Sequence, residues 1–333
     1  MAKRIAINGF GRIGRLTLRN ILNRSDIEVV AINDLTDTDM LAHLFKYDSS
    51  QGRYDGEVSV DGDTIIIDGK EIKSYAERDP SKLPWASLNV DVVLECTGIF
   101  RTYESAHAHI DAGAKRVVIS APGKGEGIQT IVLGVNDDTI DPEALIFSNA
   151  SCTTNCLAPV VKVLDQLGGI VSAGMTTIHG YTGDQNIQDG PHSDWRRARA
   201  AAINMIPTST GAATAVGKVY PAVQGKIFAM AIRVPVVTGS IVDFTCVLNR
   251  TVTRDEINAS FKKASETDLK GILQYSEVEL VSTDIIGNEY SSIFDAKLTS
   301  THGNQVKVIS WYDNEAGYSA RLADMCARVS EFV

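Results

Sequence analysis

Two cysteines four residues apart, Cys152 and Cys156, stand in the run Ser148-Asn149-Ala150-Ser151-Cys152-Thr153-Thr154-Asn155-Cys156. The run follows the apolar Ala144-Leu145-Ile146-Phe147 and precedes an amphipathic stretch from Leu157 to Leu167. That order predicts a strand, a tight polar turn and a helix, with Cys152 where the helix begins. A thiol there lies at the positive end of the macrodipole, beside N–H groups without helical partners, which favours the thiolate. Ser151, Thr153 and Thr154 add hydroxyls and amides able to hold an oxyanion next to the sulfur. The run by itself leaves two readings open, a nucleophile or a buried cysteine in a capped helix. A zinc site is disfavoured, because the spacing is C-x3-C and no second Cys/His pair lies nearby. His179 ends the strand-like Met175-Thr176-Thr177-Ile178-His179, and by itself a histidine there reads as a satisfied core residue.

A thiol of this kind needs elements to hold it and something to react with. At the N-terminus the strand Arg4-Ile5-Ala6-Ile7-Asn8 runs into Gly9-Phe10-Gly11-Arg12-Ile13-Gly14 and a helical pattern through Leu16, Leu18, Ile21 and Leu22. A second strand, Ile27 to Ile32, ends at Asn33-Asp34, and Asp34 lies twenty residues past Gly14. Strand, G-x-G-x-x-G, helix, strand and acid together form the dinucleotide fingerprint. Its glycines admit a pyrophosphate to a helix N-terminus, and Asp34 accepts ribose hydroxyls. Leu35-Thr36-Asp37-Thr38-Asp39 follows, with no Arg or Lys for a 2′-phosphate, so NAD is expected rather than NADP.

The α/β alternation continues. Val58 to Ile67, with Asp61-Gly62-Asp63 and Asp68-Gly69-Lys70, reads as a small antiparallel hairpin set. Asp91 to Gly98 and Arg116 to Ser120 read as buried parallel strands, with a helix over Ala106 to Ala112 between them. Ile131 to Val135 and Leu145 to Ser148 are expected to complete the sheet, which would place Cys152 at the carboxyl edge of a cofactor domain. Cys96 belongs to the core, and Ser120 lies at a strand's C-terminal end, where ligands bind in open α/β sheets. Beyond His179 a loop leads to Trp195-Arg196-Arg197-Ala198-Arg199, a dense basic cluster that is either a solvated helix start or a phosphate ligand. Thr208 to Ala213 is a polar turn into small residues, also suited to an anion. Ile227 to Val237, Ser240 to Asn249, Ser291 to Leu298 and Gln305 to Tyr312 predict a large antiparallel sheet. An amphipathic helix carrying Tyr318, Leu322, Met325 and Val329 ends the chain.

Bulk properties narrow the class. With 333 residues, 44% of them hydrophobic, the chain can fill two globular domains. A net charge of -9 argues against nucleic-acid binding as the main function. Five scattered cysteines do not form a disulfide framework, and no apolar run approaches membrane-spanning length. Together with the absence of a secretory pattern after Met1, this predicts a soluble cytoplasmic protein.

The motifs SNASCTTNC, INGFGRIGR, TTIHGYT, PTSTGAA, AIRVP and SWYDNEAGYS carry an end-to-end resemblance to the phosphorylating, glycolytic glyceraldehyde-3-phosphate dehydrogenase family. The resemblance implies an α/β protein with a Rossmann-type NAD domain over residues 1–150, to which a C-terminal helix over 317–333 returns. It implies an α+β catalytic domain over 151–316 with a large, mostly antiparallel sheet, assembled as a homotetramer. By that likeness Cys152 is the nucleophile and His179 its base, with no metal. Arg12, Ile13, Asp34, Arg78, Ser120 and Asn314 match the family's NAD contacts, alongside Gly9, Gly11 and Gly14. Ser151, Thr153, Thr182, Arg197, Thr210, Gly211 and Arg233 match its contacts to substrate and inorganic phosphate. Arg196 and Arg199 stay open as alternatives to Arg197, and Pro191 matches a position that excludes a 2′-phosphate. Arg233-Val234-Pro235-Val236-Val237-Thr238-Gly239-Ser240 departs from the usual RVPTxNVS, and His179-Gly180-Tyr181-Thr182 from the more usual His-Ala/Ser-Tyr-Thr.

The expected reaction is oxidation of glyceraldehyde 3-phosphate to an acyl phosphate through a hemithioacetal and a thioester on Cys152. One rival is the sister enzyme for erythrose 4-phosphate, which ends in hydrolysis and lacks the Thr seen here at Thr182 and the Thr-Gly at Thr210-Gly211. Another is a catalytically silent NAD- or nucleic-acid-binding protein on the same scaffold, against which Cys152, His179 and the acidic charge argue.

Overall fold

The structure, a computed structural model, describes residues 2–333 and divides them into two compact units. One unit takes the chain up to Ile131 together with Asp138–Ala150 and Ser319–Val333; the other takes Val132–Asp137 and Ser151–Tyr318.

In the first unit β1 (Lys3–Asn8), α1 (Arg12–Leu22), β2 (Ile27–Asn33) and α2 (Thr38–Lys46) alternate. Hairpin strands β3 (Val58–Asp61), β4 (Thr64–Ile67) and β5 (Lys70–Tyr75) follow. Asp68 and Gly69, at φ 49 and 78, make the two-residue turn that lets β4 return as β5 with the right twist. Then come β6 (Val92–Glu95), α3 (Tyr103–Asp111), β7 (Arg116–Ile119), β8 (Gln129–Thr130) and β9 (Ile146–Ser148). The sheet order is β3-β4-β5-β2-β1-β6-β7-β9-β8, parallel from β5 onwards. Val92, Val93 and Leu94 are all fully buried, as a central parallel strand covered on both faces requires. On one face Trp85, Ala106, Val117 and Ile146 join a single core cluster. The order reverses between β1 and β6, so the crevice at their carboxyl ends is the switch point where such sheets bind ligands.

Three expectations change here. Ile131 to Val135 is not a strand, because β8 stops at Thr130. Asn136 accepts from the Val132 N–H at 2.8 Å, and the N–H groups of Val135 and Asn136 close back on the Val132 carbonyl. With Gly134 at φ 79, a side chain takes over the bonding a neighbouring strand would supply. The strand expected over Ser291 to Leu298 is only Ser292–Asp295, since Asp295 caps a short 3-10 turn by accepting from Lys297 N at 3.2 Å. Helix α3 starts at Tyr103 rather than Ala106, because Thr102 and Ser105 form a reciprocal cap.

The second unit holds α4 (Cys152–Gly168), β10 (Ile170–Gly180), β11 (Ile206–Thr208), α5 (Ala212–Val219), β12 (Ile227–Val234) and β13 (Ser240–Leu248). After α6 (Arg254–Glu266) come β14 (Leu273–Ser276), β15 (Ser292–Asp295), β16 (Ser300–His302), β17 (Gln305–Tyr312) and α7 (Ala316–Ser330), within which the two units divide. The sheet runs β11-β12-β10-β13-β17-β15-β14, with β16 on β17. Only β10–β12 and β14–β15 are parallel pairs; the others are antiparallel. Alternation along β13 buries Val242, Phe244, Cys246 and Leu248 on the face against which α4 lies. Each such Val, Leu or Phe contributes roughly 1.5–3 kcal/mol by leaving water. That packing fixes the axis of α4, and therefore where its first residue points. Among the described residues no helix is long and apolar enough to cross a membrane.

Candidate active site

Cys152 is the first residue of α4, and Ser151 caps the helix by accepting from Thr154 N at 3.1 Å. The turn before it holds Ala150 at φ 55, a left-handed conformation costing a non-glycine residue roughly 1–2 kcal/mol. The N–H groups at the helix start pull the thiol down, but burial outweighs them. Burial pushes the Cys152 thiol above its ordinary value, opposed by the charge of Arg233 and by donation from Thr153.

His179 approaches from β10, its Nε2 3.4 Å from Cys152 Sγ. It is 3% exposed, and burial, helped by the charge of Arg233, brings its pKa down to about 3. Nδ1 lies 2.6 Å from the Gly180 carbonyl oxygen. The tautomer that donates there turns the Nε2 lone pair to the sulfur, as a base requires, whereas the one that accepts from Arg233 Nη1, 2.9 Å from Nδ1, carries its proton on Nε2. The ring edge meets Tyr312 with centroids 5.8 Å apart, and the Tyr312 hydroxyl bridges Thr153 (2.9 Å) and Thr177 (2.8 Å). Tyr312 thus ties the cysteine's helix to the histidine's strand, although the sequence marked it only as the end of a strand. Cys156, one turn further in, is fully buried against Ser292 and Ser310, and burial pushes its thiol up to about 12.

The parallel register of β10 with β12 sets His179 beside Arg233. Arg233 Nη1 donates to the Gly180 carbonyl at 3.1 Å and to Thr182 Oγ1 at 3.0 Å, and lies 2.9 Å from His179 Nδ1. Its Nε is buried without a hydrogen-bond partner. The Thr182 hydroxyl donates in turn to Asp184, which also accepts from Arg197 at 2.5 Å. Arg197 reaches Thr208 at 3.0 Å as well, and Thr208 bonds Asp194. Arg199 pairs instead with Asp189 at 2.8 Å, and Arg196 is exposed. Of the three arginines, Arg197 is therefore the one connected to Thr182 and Arg233. Asp184 was not singled out from the sequence, since a lone acid after a Gly in a loop carries no periodic or spacing signal. Thr210 and Gly211 open α5, with Thr210 Oγ1 accepting from Ala212 N at 3.2 Å and open space above Gly211.

Asn314 is buried, and its side-chain oxygen accepts from Ser240 at 2.8 Å, which leaves the amide nitrogen to donate to a ligand. The single proton of the Thr238 hydroxyl goes to Asp313 at 2.7 Å, with the Asn314 oxygen only in contact at 3.3 Å. The unusual segment after Arg233 thus supplies a hydroxyl that holds Asp313, the residue before Asn314.

In the first unit the glycine loop suits a dinucleotide. Gly9 has φ 92, and a Cβ there would lie 2.6 Å from Thr97 N; one on Gly14 would lie 2.3 Å from the Gly9 oxygen. Gly11 caps α1 with nothing within 4 Å, so an anion can reach first-turn N–H groups that include those of Arg12 and Ile13. The Arg12 guanidinium itself is held by Asp48 and Ser50. Asp34 accepts from Phe10 N at 2.8 Å and Thr36 N at 3.1 Å, and so fixes the loop at the end of β2. Ser120 follows β7, with its N–H on the Glu95 carbonyl at 2.9 Å, and Arg78 is exposed.

Two family profiles match the chain. The one described as "Glyceraldehyde 3-phosphate dehydrogenase, NAD binding domain" covers residues 3–103, and the one described as "Glyceraldehyde 3-phosphate dehydrogenase, C-terminal domain" covers residues 151–314. The chain is also similar to whole proteins named glyceraldehyde-3-phosphate dehydrogenase. That of Mycobacterium avium is 55% identical over 338 residues, spanning 99% of both chains. That of Geobacillus stearothermophilus is 56% identical over 332 residues, again 99% of both. The protein of Kitasatospora aureofaciens is 55% identical over 323 residues, 96% of this chain and 97% of its own.

Proposed function

This chain belongs to the glyceraldehyde-3-phosphate dehydrogenase family, and we propose that it oxidises glyceraldehyde 3-phosphate through a thioester on Cys152 that inorganic phosphate then opens. It is an NAD-dependent dehydrogenase. The observation that carries the residue assignment is the 3.4 Å contact of Cys152 Sγ with His179 Nε2, with Arg233 Nη1 2.9 Å from the other ring nitrogen. The sulfur adds to the aldehyde carbon, and the N–H groups opening α4, with the Thr153 hydroxyl, face the oxygen that takes up charge. His179 Nε2 receives the hydroxyl proton as the hemithioacetal is oxidised. NAD, when bound, supplies the acceptor for the hydride that the carbon gives up. A phosphate oxygen then attacks the thioester carbon, the Cys152–acyl bond breaks, and the product is an acyl phosphate. Arg233 and Thr182 hold one anion; Arg197, Thr210 and Gly211 offer a second position.

The test measures NADH formation from glyceraldehyde 3-phosphate with and without inorganic phosphate. Sustained turnover should require phosphate, and a stall after about one NADH per chain is expected without it. Equal steady rates in both would refute the phosphorylating reading.

Arg233→Leu should lower efficiency on the phosphorylated aldehyde about 10- to 100-fold more than on unphosphorylated glyceraldehyde, from loss of a charge-assisted bond. The ratio is the quantity to compare, because Arg233 also contacts His179 and its loss slows both substrates. A proportional fall in the two efficiencies means that Arg233 serves only the histidine.

Assembly as a cytoplasmic homotetramer is part of the same reading. On the second unit the large apolar side chains of Trp195, Ile203, Met205 and Phe228 are 89%, 78%, 77% and 77% exposed, and association would cover them. All five cysteines are free, which suits a reducing compartment. Light scattering should give about four times the 35.9 kDa chain mass, and a monomer would end this part of the proposal.

A further inference from the structure

Behind the glycine loop of the first unit lies a set of polar side chains that the aldehyde chemistry does not use. Asn8, Asn33, Trp85, Glu95 and His109 are each at most 5% exposed. Their hydrogen bonds run in one direction. The Trp85 indole N–H can only donate and lies 3.0 Å from His109 Nδ1, so the ring proton sits on Nε2, 3.0 Å from Glu95 Oε2. Asn8 Nδ2 donates to the same oxygen at 2.6 Å. The other Glu95 oxygen accepts from Thr97 N at 2.8 Å and from the Thr97 hydroxyl. Asn8 Oδ1 accepts from Asn33 Nδ2 at 2.7 Å, and Asn33 exchanges two 2.8 Å bonds with the backbone of Glu77. Four donors thus converge on one buried carboxylate, and none of them is a cation. A buried charge held only by dipoles is a poor source of stability, whereas its orientation is over-determined.

What it orients follows from the sheet. Asn33, Asn8 and Glu95 are the last residues of β2, β1 and β6, which lie side by side across the switch point. The Asn33 carbonyl takes Gly9 N at 2.8 Å, and the Asn8 carbonyl takes Cys96 N at 2.7 Å. Thr97, fixed by Glu95, forms the backbone floor against which Gly9 turns, since a Cβ at Gly9 would meet Thr97 N at 2.6 Å. Asp34 follows Asn33 directly and holds Phe10 N.

We infer that Glu95 and His109 are positioning residues for NAD: hydrogen bonded to each other, they set the Gly9–Gly14 loop and Asp34 in binding geometry before the dinucleotide arrives. Preset geometry means that the ordering cost is met in folding rather than in binding, so their loss appears in affinity for NAD.

The test compares three variants of the full chain by calorimetric titration with NAD, alongside KM for NAD, kcat and alkylation of Cys152. His109→Gln offers an oxygen to Trp85 and an N–H to Glu95, and should keep the dissociation constant within about twofold. His109→Leu removes both bonds, and Glu95→Gln turns a donor toward Asn8 or His109. Each should weaken NAD binding about tenfold or more, with KM for NAD rising in parallel. In both, kcat at saturating NAD and the alkylation rate should stay within about twofold. Titration and alkylation need no aldehyde, so failure of the substrate assignment would leave this result standing, and the converse holds. Unchanged affinity in folded His109→Leu or Glu95→Gln overturns the inference, as does equal weakening in His109→Gln and His109→Leu. Where one of the two disruptive variants fails to fold, the other decides; where both fail, His109→Met, which fills the space without donating, takes their place.

Discussion

Replacing Cys152 by serine should lower aldehyde oxidation by roughly 10⁴-fold or more while leaving NAD binding intact. The sulfur is the nucleophile nearest a base, 3.4 Å from His179 Nε2, and a serine oxygen would occupy nearly the same place. The loss is therefore chemical. Burial already pushes the thiol up, and an alkoxide, smaller and intrinsically far more basic, would meet a larger penalty in the same setting. An acyl group on oxygen would also be a less reactive donor to phosphate than a thioester. Cys156→Ser is the matched control, because that sulfur lies in the core beside Ser292 and Ser310 and meets no base. It should retain most of the activity. Single-turnover NADH formation and titration of fast-reacting thiols are the measurements. The wild type should show one such thiol per chain, and Cys152→Ser none. Turnover within about 100-fold of wild type in folded Cys152→Ser would remove Cys152 from the nucleophile's role.

The first unit was legible because its signals are local. A parallel strand buried on both faces reads as an apolar run, and the loop of Gly9, Gly11 and Gly14 announces the helix that follows. Where a side chain replaced a strand neighbour, the same logic failed. Ile131 to Val135 has strand composition, yet Asn136 bonds Val132 N and turns the chain away. Cys152 at the start of α4 was readable from the capping Ser151 and the run after it. Its surroundings were not, since His179 and Arg233 stand on different strands and meet through the register of β10 with β12. The direction of the thiol's shift was also out of reach. A helix start is visible in sequence, whereas the burial that outweighs it depends on how α4 and β10 pack. Asp184 shows the limit most clearly: in the sequence it is one acid in a loop, and in the structure it joins Thr182 to Arg197.

His179→Asn should slow aldehyde oxidation roughly 10²- to 10⁴-fold and move alkylation of Cys152 to higher pH. Burial holds the imidazole at about 3 and the thiol above its ordinary value, so neither group ionises readily alone. A proton passed along the 3.4 Å contact brings no net charge into the site, and the sulfur then faces the opening turn of α4 and the charge of Arg233. Asparagine can occupy the space but cannot accept that proton and keep it. The thiol must then ionise against burial by itself, which raises its apparent pKa. The sign follows directly: alkylation reads the thiolate, the thiolate fraction grows as pH rises, and a raised pKa displaces the whole curve upward. At a pH below both curves, His179→Asn should alkylate about tenfold more slowly than the wild type for each unit of displacement. A rate of oxidation that falls while the alkylation curve stays in place would confine His179 to the oxidation step. If neither changes, His179 is a core histidine that happens to lie beside a cysteine.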